Sequence, residues 1–408
     1  MRALHLAVLA LALLASGCAG RQIGTLRPVA ATVPDASVVD MLVATTRAKS
    51  TEPGVVFSGE RGTTLAIDNI VVSIPPDRNR TVGEVTWAKT WPGDPSRDFV
   101  TLKVEPMTGK EPGDWFRRVA GKKRRLLVFV HGFNNRYEEA VYRFAQIAHD
   151  SGSDAAPVLF TWPSRGNIFA YNYDKESATY SRTALETLLR DAASKPDVGE
   201  ITVMAHSMGS WLTMEALRQL SIRDGKLPAK IRNVVLASPD LDVDVFSRQL
   251  QEIDTRQVNM TIFVSDDDRA LDVSRRIAGG VDRVGSINPN TEPYKSEIEK
   301  AGITVIDLTA LRAGDATNHL KFASSPEVVK LIGNRLVAGQ KVSDADVSLG
   351  ERIGAAALGT AQTVGSAATA VATAPAAVFD KNSRQTFRDQ AGNVGRSFGG
   401  TLQTATGQ

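Results

Sequence analysis

A strand-to-helix turn at residues 205–209 constrains the fold of this 408-residue chain more than any other sequence feature. The segment Ala205-His206-Ser207-Met208-Gly209 follows an apolar strand pattern at Ile201–Met204 and precedes a helical pattern over Ser210–Ile222. A serine on such a sharp turn is lifted above the sheet, and small residues must flank the turn. Glycine is present on one side, and alanine replaces the commoner glycine on the other. The segment therefore predicts an α/β protein and makes Ser207 a candidate nucleophile, with a helix-capping serine as the alternative.

The sequence from residue 122 to residue 338 supports the same fold class. Strand and helix patterns alternate there, as in a mostly parallel, doubly wound sheet with helices on both faces. Continuous apolar runs such as Leu126–Val130 suit parallel strands that are buried on both faces. The other predicted strands are Val158–Trp162, Ile231–Ala237, Thr261–Val264 and Thr304–Asp307. We interpret residues 122–338 as a single α/β core.

Residues 38–121 have a different pattern. Strand-like runs occur at Leu42–Thr45, Ile67–Ile74 and Phe99–Val104, and helix signals are few. Glycine and proline residues separate these runs, as is usual for turns between strands. We therefore expect residues 38–121 to form an N-terminal antiparallel β extension of the same sheet, with a separate small β-domain as the alternative.

The N-terminus has the pattern of an export signal. Arg2 precedes a short apolar run over Leu4–Leu14, which is too short to cross the hydrocarbon core of a bilayer. Small residues then lead to Cys18, the only cysteine of the chain, and this arrangement resembles a bacterial lipoprotein cleavage site. The resemblance implies that residues 1–18 are a lipoprotein-type signal peptide ending at a lipidated Cys18. Because Ala19 replaces an inner-membrane retention aspartate, it favours the outer membrane, facing the periplasm. A plain secretory signal is the alternative.

Low-complexity segments flank the predicted domain. Residues 19–37 are rich in Pro, Ala and Thr and are predicted to form a tether. Residues 339–408 are predicted to form an Ala/Gly/Thr-rich tail. The 48 basic residues nearly balance the 45 acidic ones, which argues against a nucleic-acid partner bound through a general basic field. With one cysteine and five histidines, we expect neither a metal site nor a cofactor.

The candidate nucleophile needs a base, and the chain offers one in the right place. A serine hydroxyl becomes reactive when a histidine removes its proton and a carboxylate orients that histidine. Where serine occupies an elbow of this type, the chain order is serine, acid, histidine. Only His319 follows Ser207, although a histidine of a surface loop is the alternative for it. The other histidines lie in the signal, before the serine or beside it: His5, His131, His149 and His206.

The acid is expected in the acidic loop that follows the strand Thr261–Val264. We favour Asp268, because such folds place the acid just before the apolar residues of the next helix. Asp267 is the second candidate, and Asp240 and Asp242, which follow the preceding strand, are further alternatives. Adjacent acids also occur in solvated loops and at helix starts, so the pattern alone leaves these alternatives open.

The segment His131-Gly132-Phe133-Asn134-Asn135, after the strand Leu126–Val130, is the candidate for an oxyanion hole. A tetrahedral intermediate requires backbone N–H donors aimed at its oxyanion. We expect the N–H groups of Phe133 and Met208 to be this pair, with Met208 at a helix N-terminus. The alternative is a plain turn between a strand and a helix.

These features together resemble the α/β-hydrolase superfamily: the His-Gly-Phe loop, the elbow at Ser207, and Asp268 followed by His319. Four segments are similar to a bacterial esterase/lipase-like hydrolase family of uncharacterised function: Val43–Arg47, His131–Asn135, Thr161–Gly166 and Ala237–Asp242. The resemblance covers about residues 38–336. It implies an α/β-hydrolase fold and serine hydrolase chemistry, and it supplies no substrate.

The loop after the strand Val158–Trp162 supplies the candidate substrate-binding residues. Sheets of this type bind ligands beyond the carboxyl ends of their strands. We expect Trp162 and Tyr173 to line an acyl pocket and Arg165 to meet an anionic group of the ligand. The alternative places Trp162 in the core and pairs Arg165 with a carboxylate.

The sequence as a whole predicts a serine esterase, lipid-anchored in the bacterial cell envelope. Its expected partners are a small-molecule or lipid ester, which acylates Ser207, and the membrane that holds the anchor. Two alternatives remain open: a non-catalytic binding or structural lipoprotein on the same fold, and an acyltransferase using the same triad. The sequence indicates no oligomeric state.

Overall fold

The computed structural model describes residues 24–30, 33–311 and 315–333 of the chain. The predicted lipidation site Cys18 and the tail over residues 339–408 lie outside the described residues, so both stay predictions. Within the described ranges, no helix is long and apolar enough to cross a bilayer.

A nine-stranded sheet forms the centre of the fold, in the order β3-β2-β1-β5-β4-β6-β7-β8-β9. The strands are β1 (Ser37–Lys49), β2 (Phe57–Ile74), β3 (Val100–Pro106), β4 (Arg125–Val130), β5 (Ala156–Thr161), β6 (Glu200–His206), β7 (Ile231–Ala237), β8 (Asn259–Val264) and β9 (Thr304–Asp307). β2 pairs antiparallel with both β1 and β3, whereas the other neighbouring strands pair in parallel. The predicted mostly parallel sheet with an N-terminal antiparallel extension is confirmed.

Helices cover both faces of the sheet. They are α1 (Glu111–Val119), α2 (Tyr137–Asp150), α3 (Tyr171–Ser194), α4 (Met208–Asp224), α5 (Val243–Gln251), α6 (Arg269–Ile277), α7 (Tyr294–Ala301), α8 (Lys321–Ser324) and α9 (Pro326–Leu331). Side chains alternate between the faces of a strand. In β4, Val128 and Val130 therefore belong to the hydrophobic cluster shared with α1, α3, α4, α5 and α7, whereas Leu127 and Phe129 belong to the cluster shared with α2, α8 and α9. Complete burial of each such side chain stabilises the fold by about 1.5–3 kcal/mol.

Helix α1 lies in a region where the sequence indicated few helices. Pro112 occupies the first turn, where its missing N–H has no intrahelical acceptor to lose. Trp115 and Phe116 are buried, and the indole Nε1 of Trp115 donates a hydrogen bond to Asp40 of β1 at 2.8 Å. Proline and glycine at the start of this segment resemble turn signals, which is why the pattern was misleading.

The carboxyl ends of strands β4 to β8 meet at one edge of the sheet, because these strands are parallel. Three loops at this edge contain a residue with positive φ: Asn134 at 60°, Ser207 at 53° and Ser238 at 46°. Side chains with a Cβ rarely adopt this conformation, and strain of this kind clusters at functional sites. This edge is therefore where the candidate site is assembled.

Candidate active site

Ser207 occupies the turn between β6 and α4. Its φ of 53° and ψ of −125° lie outside the ordinary regions for a residue with a Cβ. The N–H of Ser207 donates to the carbonyl of Ala237 at 3.0 Å and so ties the turn to β7. Gly209 is needed on the other side, because a Cβ there would lie 2.3 Å from the carbonyl oxygen of His131. Close packing on both sides therefore holds the strained turn that carries the candidate nucleophile.

His319 and Asp268 form a hydrogen-bonded pair, with 2.6 Å between His319 Nδ1 and Asp268 Oδ2. The carboxylate is fully buried, and its second oxygen accepts the N–H of Leu271 at 3.0 Å, so Asp268 caps the N-terminus of α6. A carboxylate only accepts hydrogen bonds, so the proton of the neutral imidazole is on Nδ1. The lone pair on Nε2 of His319 is then available to accept a proton.

The pair also sets the basicity of His319. Burial alone lowers the pKa of this imidazole, because the charged form loses solvation. The hydrogen bond from His319 to Asp268 and the charges of Asp268, Asp240 and Asp315 outweigh burial and raise the pKa above its usual value of 6.5. The surroundings of His319 therefore favour its imidazolium form, which is the form that a general base reaches after taking a proton.

The second candidate acid, Asp267, is hydrogen-bonded to other residues than His319. Its Oδ1 accepts a hydrogen bond from Lys321 Nζ at 2.6 Å, and its Oδ2 accepts one from Asn318 Nδ2 at 2.8 Å. Lys321 is almost fully buried and also donates to the carbonyls of Leu308 and Thr309. Asp267 and Lys321 therefore tie the loop that carries Asp268 to the segment that carries His319.

The two remaining candidate acids also have other partners. Asp240 accepts hydrogen bonds from the hydroxyls of Tyr171 at 3.1 Å and Ser274 at 2.5 Å. Asp242 caps α5 by accepting the N–H of Asp244 at 3.0 Å. Among the acids considered from the sequence, Asp268 is the one that the described structure joins to His319.

His206, next to the candidate nucleophile, packs against the candidate base. Its ring centroid lies 4.7 Å from that of His319 and 4.7 Å from that of Phe322. Burial lowers the pKa of His206 well below its usual value, so the ring is neutral and adds no charge beside His319. This contact was not expected from the sequence pattern. In the described ranges, no group of three or more His, Cys, Asp or Glu side chains could hold a metal ion.

The segment His131–Asn135, hereafter the oxyanion loop, passes close over Ser207. A Cβ on Gly132 would lie 2.8 Å from the Cβ of Ser207. The carbonyl of Gly132 accepts hydrogen bonds from His131 Nδ1 at 2.8 Å and Asn135 Nδ2 at 3.2 Å. Across a trans peptide the carbonyl and the N–H point in opposite directions. The N–H of Phe133 is therefore directed away from these two donors.

Met208, the other predicted oxyanion donor, is the first residue of α4. The N–H of a first helical residue has no acceptor within its own helix. The positive end of the helix dipole lies at the same place and favours a negative charge there. Met208 thus has the backbone position that the prediction requires.

The three predicted substrate-binding residues have protein partners of their own. Trp162 is fully buried, and its indole Nε1 donates to the carbonyl of His131 at 2.8 Å. This position corrects its predicted place in an acyl pocket, because the ring lies in the core and stacks on the ring of His131, the first residue of the oxyanion loop. Arg165 forms two hydrogen bonds with Glu60 and lies 3.6 Å from the ring centroid of Tyr173. Contact of Arg165 and Tyr173 with a substrate stays a prediction.

Several known proteins are similar to this chain. An uncharacterized protein of Nostoc sp. (strain PCC 7120 / SAG 25.82 / UTEX 2576), alr1448, is 44% identical over 24% of this chain and 32% of its own length. This chain thus spans about a third of that relative. Among solved structures, the Fe-lacking apo form of ESTFA is 14% identical, covering 82% of this chain and 92% of that chain with a TM-score of 0.31.

A lipase-esterase related protein from Clostridium acetobutylicum ATCC 824 is likewise 14% identical, covering 58% of this chain and 96% of that chain with a TM-score of 0.24. At these scores neither solved structure bears on the activity of this chain. The model of a family described as alpha/beta hydrolase of unknown function (DUF900) matches residues 111–335. That range is more than half of the chain and includes Ser207, Asp268 and His319. The predicted α/β-hydrolase fold is confirmed, and the chain belongs to the alpha/beta hydrolases of unknown function, DUF900.

Proposed function

We propose that this protein is a serine hydrolase that cleaves carboxylic esters through an acyl-enzyme on Ser207. The observation that supports the proposal most directly is the 2.6 Å hydrogen bond between His319 Nδ1 and Asp268 Oδ2. It occurs in a hydrolase fold whose strained elbow carries Ser207. Serine, an oriented histidine and a buried carboxylate are the groups needed to make a hydroxyl nucleophilic.

The proposed reaction begins when Ser207 Oγ attacks the carbonyl carbon of the ester. His319 Nε2 takes the hydroxyl proton, and Asp268 stabilises the resulting imidazolium. The N–H groups of Phe133 and Met208 donate to the oxyanion. When the tetrahedral intermediate collapses, the bond to the leaving alcohol breaks and His319 returns the proton to that alcohol. Water then attacks the acyl-enzyme with the same base, which releases the carboxylic acid and restores Ser207.

The electrostatics of the described residues favour this sequence of steps. The hydrogen bond and charge of Asp268 raise the pKa of His319, so the imidazolium is stabilised when the proton arrives. Removing one oxyanion donor costs on the order of 10²–10³-fold in kcat in enzymes of this kind. The rate of the proposed reaction therefore depends on the two oxyanion donors and on the pair of His319 and Asp268.

The decisive experiment is labelling of the purified protein with a fluorophosphonate probe. Wild type should be labelled, whereas Ser207→Ala and His319→Ala should not. Ser221→Ala is a matched control, because Ser221 is a buried serine of α4 whose hydroxyl donates to the carbonyl of Glu252. Equal labelling of wild type and Ser207→Ala would end the nucleophile assignment. No labelling of folded wild type, with no hydrolysis of short or long acyl esters, would favour a binding protein.

The same proposal includes a place for the enzyme in the cell envelope. The pattern around Cys18 supports lipidation of this cysteine, which would anchor the hydrolase at the outer membrane, facing the periplasm. Cells that express wild type should incorporate labelled fatty acid into the protein, and cells that express Cys18→Ser should not. Equal incorporation in both would contradict the anchor and leave the proposed catalytic site untouched.

A further inference from the structure

A buried arginine beneath the oxyanion loop has no part in the proposed reaction steps. Arg47, near the end of β1, is 2% exposed, and its guanidinium donates to neutral oxygens, while the charges of Asp174 and Glu138 act on it from further away. Burial lowers the pKa of Arg47 to about 10, so the guanidinium remains protonated at neutral pH. Burying an ion without a direct partner is costly, and a role for Arg47 must explain why a cation is there.

The guanidinium of Arg47 joins the oxyanion loop to the end of β5. Its Nε donates to Thr161 Oγ1 at 2.9 Å, and its Nη1 donates to the carbonyl of Ser164 at 2.8 Å. Its Nη2 donates to the carbonyl of Asn135 at 2.8 Å and lies 3.3 Å from His131 Nε2. Arg47 therefore contacts both ends of the oxyanion loop through neutral acceptors.

Burial, the charge of Arg47 and the N–H of Trp162 together fix the protonation state of His131. Its Nε2 lies 3.0 Å from Thr161 Oγ1 and accepts the backbone N–H of Trp162 at 3.1 Å. Burial, and next the charge of Arg47, lower the pKa of His131 to about 3. The ring is therefore neutral, with its lone pair at Nε2 and its proton at Nδ1.

The proton on His131 Nδ1 orients the peptide that supplies the predicted oxyanion donor. Nδ1 donates to the carbonyl of Gly132 at 2.8 Å. That carbonyl belongs to the same peptide unit as the N–H of Phe133, and the two groups point in opposite directions. Holding the carbonyl of Gly132 therefore holds the N–H of Phe133. If Nδ1 lost its proton, two lone pairs would face each other and the peptide would turn.

We propose that Arg47 is a positioning residue of the oxyanion hole, which acts through His131 to aim the N–H of Phe133. This inference rests on the proposed function. The planar fork of arginine suits the task, because its separate N–H groups reach Thr161, Ser164 and Asn135 at once. A lysine keeps the charge, but its three N–H groups share one nitrogen, whereas Arg47 reaches these acceptors from three separate nitrogens.

The test compares Arg47→Met and Arg47→Lys with wild type, using p-nitrophenyl acetate as substrate. A fluorophosphonate probe first counts the active sites in each preparation, so that kcat is expressed per labelled site. We expect Arg47→Met to lower kcat per site about 100-fold, as a displacement of about 1 Å would, with KM within about threefold. Affinity for a trifluoromethyl ketone, whose tetrahedral adduct needs the same donors, should fall by a similar factor. Arg47→Lys should recover only part of the loss.

Two further variants separate positioning from a general loss of structure. Arg80→Met removes an arginine whose side chain is 1% exposed and which pairs with Asp150, at the opposite end of α2 from the oxyanion loop. We expect it to reduce stability and leave kcat per site unchanged. His131→Phe keeps a ring beside Trp162 and removes the Nδ1 donor, so it should reproduce the loss seen in Arg47→Met. Combining the two substitutions should add little. If Arg47→Met does not fold, Arg47→Lys replaces it, and its partial loss of kcat per site should likewise not add to that of His131→Phe.

Each outcome decides between the possible roles. Wild-type kcat per site in Arg47→Met, with fewer labelled sites, would assign Arg47 a structural role only and overturn the inference. Additive losses in the double variant would overturn the route through His131. Absence of labelling in the wild type would instead overturn the proposed function, and the inference with it.

Discussion

Replacing Gly132 with alanine should remove most of the turnover while leaving the protein folded. A Cβ at this position would lie 2.8 Å from the Cβ of Ser207 and 2.9 Å from His206 Nδ1. Non-bonded carbons pack best at about 3.5–4.0 Å, so the oxyanion loop would have to retreat by roughly 1 Å. A misplacement of about 1 Å lowers a rate by on the order of 100-fold.

The assay is steady-state hydrolysis of p-nitrophenyl acetate, expressed per site that reacts with a fluorophosphonate. We expect Gly132→Ala to lower kcat about 100-fold with KM within about threefold, because the N–H of Phe133 contributes mainly in the transition state. Overpacking should also lower the free energy of unfolding by about 1–3 kcal/mol. Urea denaturation followed by circular dichroism measures this second effect separately.

Gly113→Ala is the matched control. Gly113 lies in α1, which carries none of the candidate site residues, and the nearest heavy atom to its added Cβ would be Arg117 Nη1 at 3.7 Å. The same substitution should leave kcat unchanged and, in a helix, stabilise by about 0.5–1 kcal/mol. Wild-type kcat in Gly132→Ala would refute the reasoning, because the loop could then not need its close approach to Ser207.

Three further predictions concern charged groups. Asp268→Asn should lower kcat about 10⁴-fold. It should also move the acid limb of the pH profile of kcat/KM to lower pH, because the hydrogen bond and the charge that raise the pKa of His319 are lost. An acid limb that stays at the same pH would contradict this explanation. Because the pKa of His319 is raised in the folded state, protonation of His319 stabilises the fold below the unfolded pKa of 6.5, and this stabilisation disappears as the pH rises through the folded pKa. In urea denaturation, Asp268→Asn should therefore lose more unfolding free energy at pH 5 than at pH 9. Lys321→Met should lower the free energy of unfolding by about 2 kcal/mol, because two backbone carbonyls lose a buried donor. A change below about 0.5 kcal/mol in urea denaturation would show that these two hydrogen bonds do not contribute as expected. Arg165→Met should change the unfolding free energy by less than about 1 kcal/mol, since its ion pair with Glu60 is exposed on both sides, and a larger loss in the same measurement would show that the stacking on the tyrosine ring matters more than the charge.

The fold was predictable because its signals are local. Buried parallel strands appear as continuous apolar runs, and the elbow at Ser207 needs a strand, a turn and a helix that are contiguous in sequence. The antiparallel extension was equally visible as strand patterns between turn residues. Helix α1 was missed, because Pro112 and a following glycine mark turns as often as first turns of helices.

The choice among the candidate acids depended on contacts between distant segments. Asp267 and Asp268 are neighbours with the same chemistry, yet one accepts from Lys321 and the other from His319. One local signal pointed to Asp268, because the cap of α6 has to be the residue just before that helix. The partners of Asp240 were not visible in the same way, since they come from two other helices.

The role of Arg47 could be predicted neither from the sequence pattern nor from the resemblance to a known family. This arginine is the last residue of the segment Val43–Arg47, which is similar to an esterase/lipase-like family, and that similarity implies no role for it. Its partners Thr161 and Asn135 lie 114 and 88 residues further along the chain. The available signal was an arginine shortly after the apolar run at residues 41–44 of β1. Its partners could be identified only from the sheet order, which places β1 beside β5.

That pairing of β1 with β5 also orders events during synthesis. The hairpin of β1 and β2 leaves the ribosome first, while the other edge of β1 has no partner until the residues of β5 have been made. At about 5–20 residues per second, the 114 residues that separate Arg47 from Thr161 take on the order of ten seconds. During that interval an apolar strand edge is open to wrong partners. Pairing of β5 with β1 would then cover this strand edge and position the oxyanion loop in the same step. A chain that stalls before residue 161 would lack the strand that supports the loop, and the residues that form the turn at Ser207 would not yet have been made.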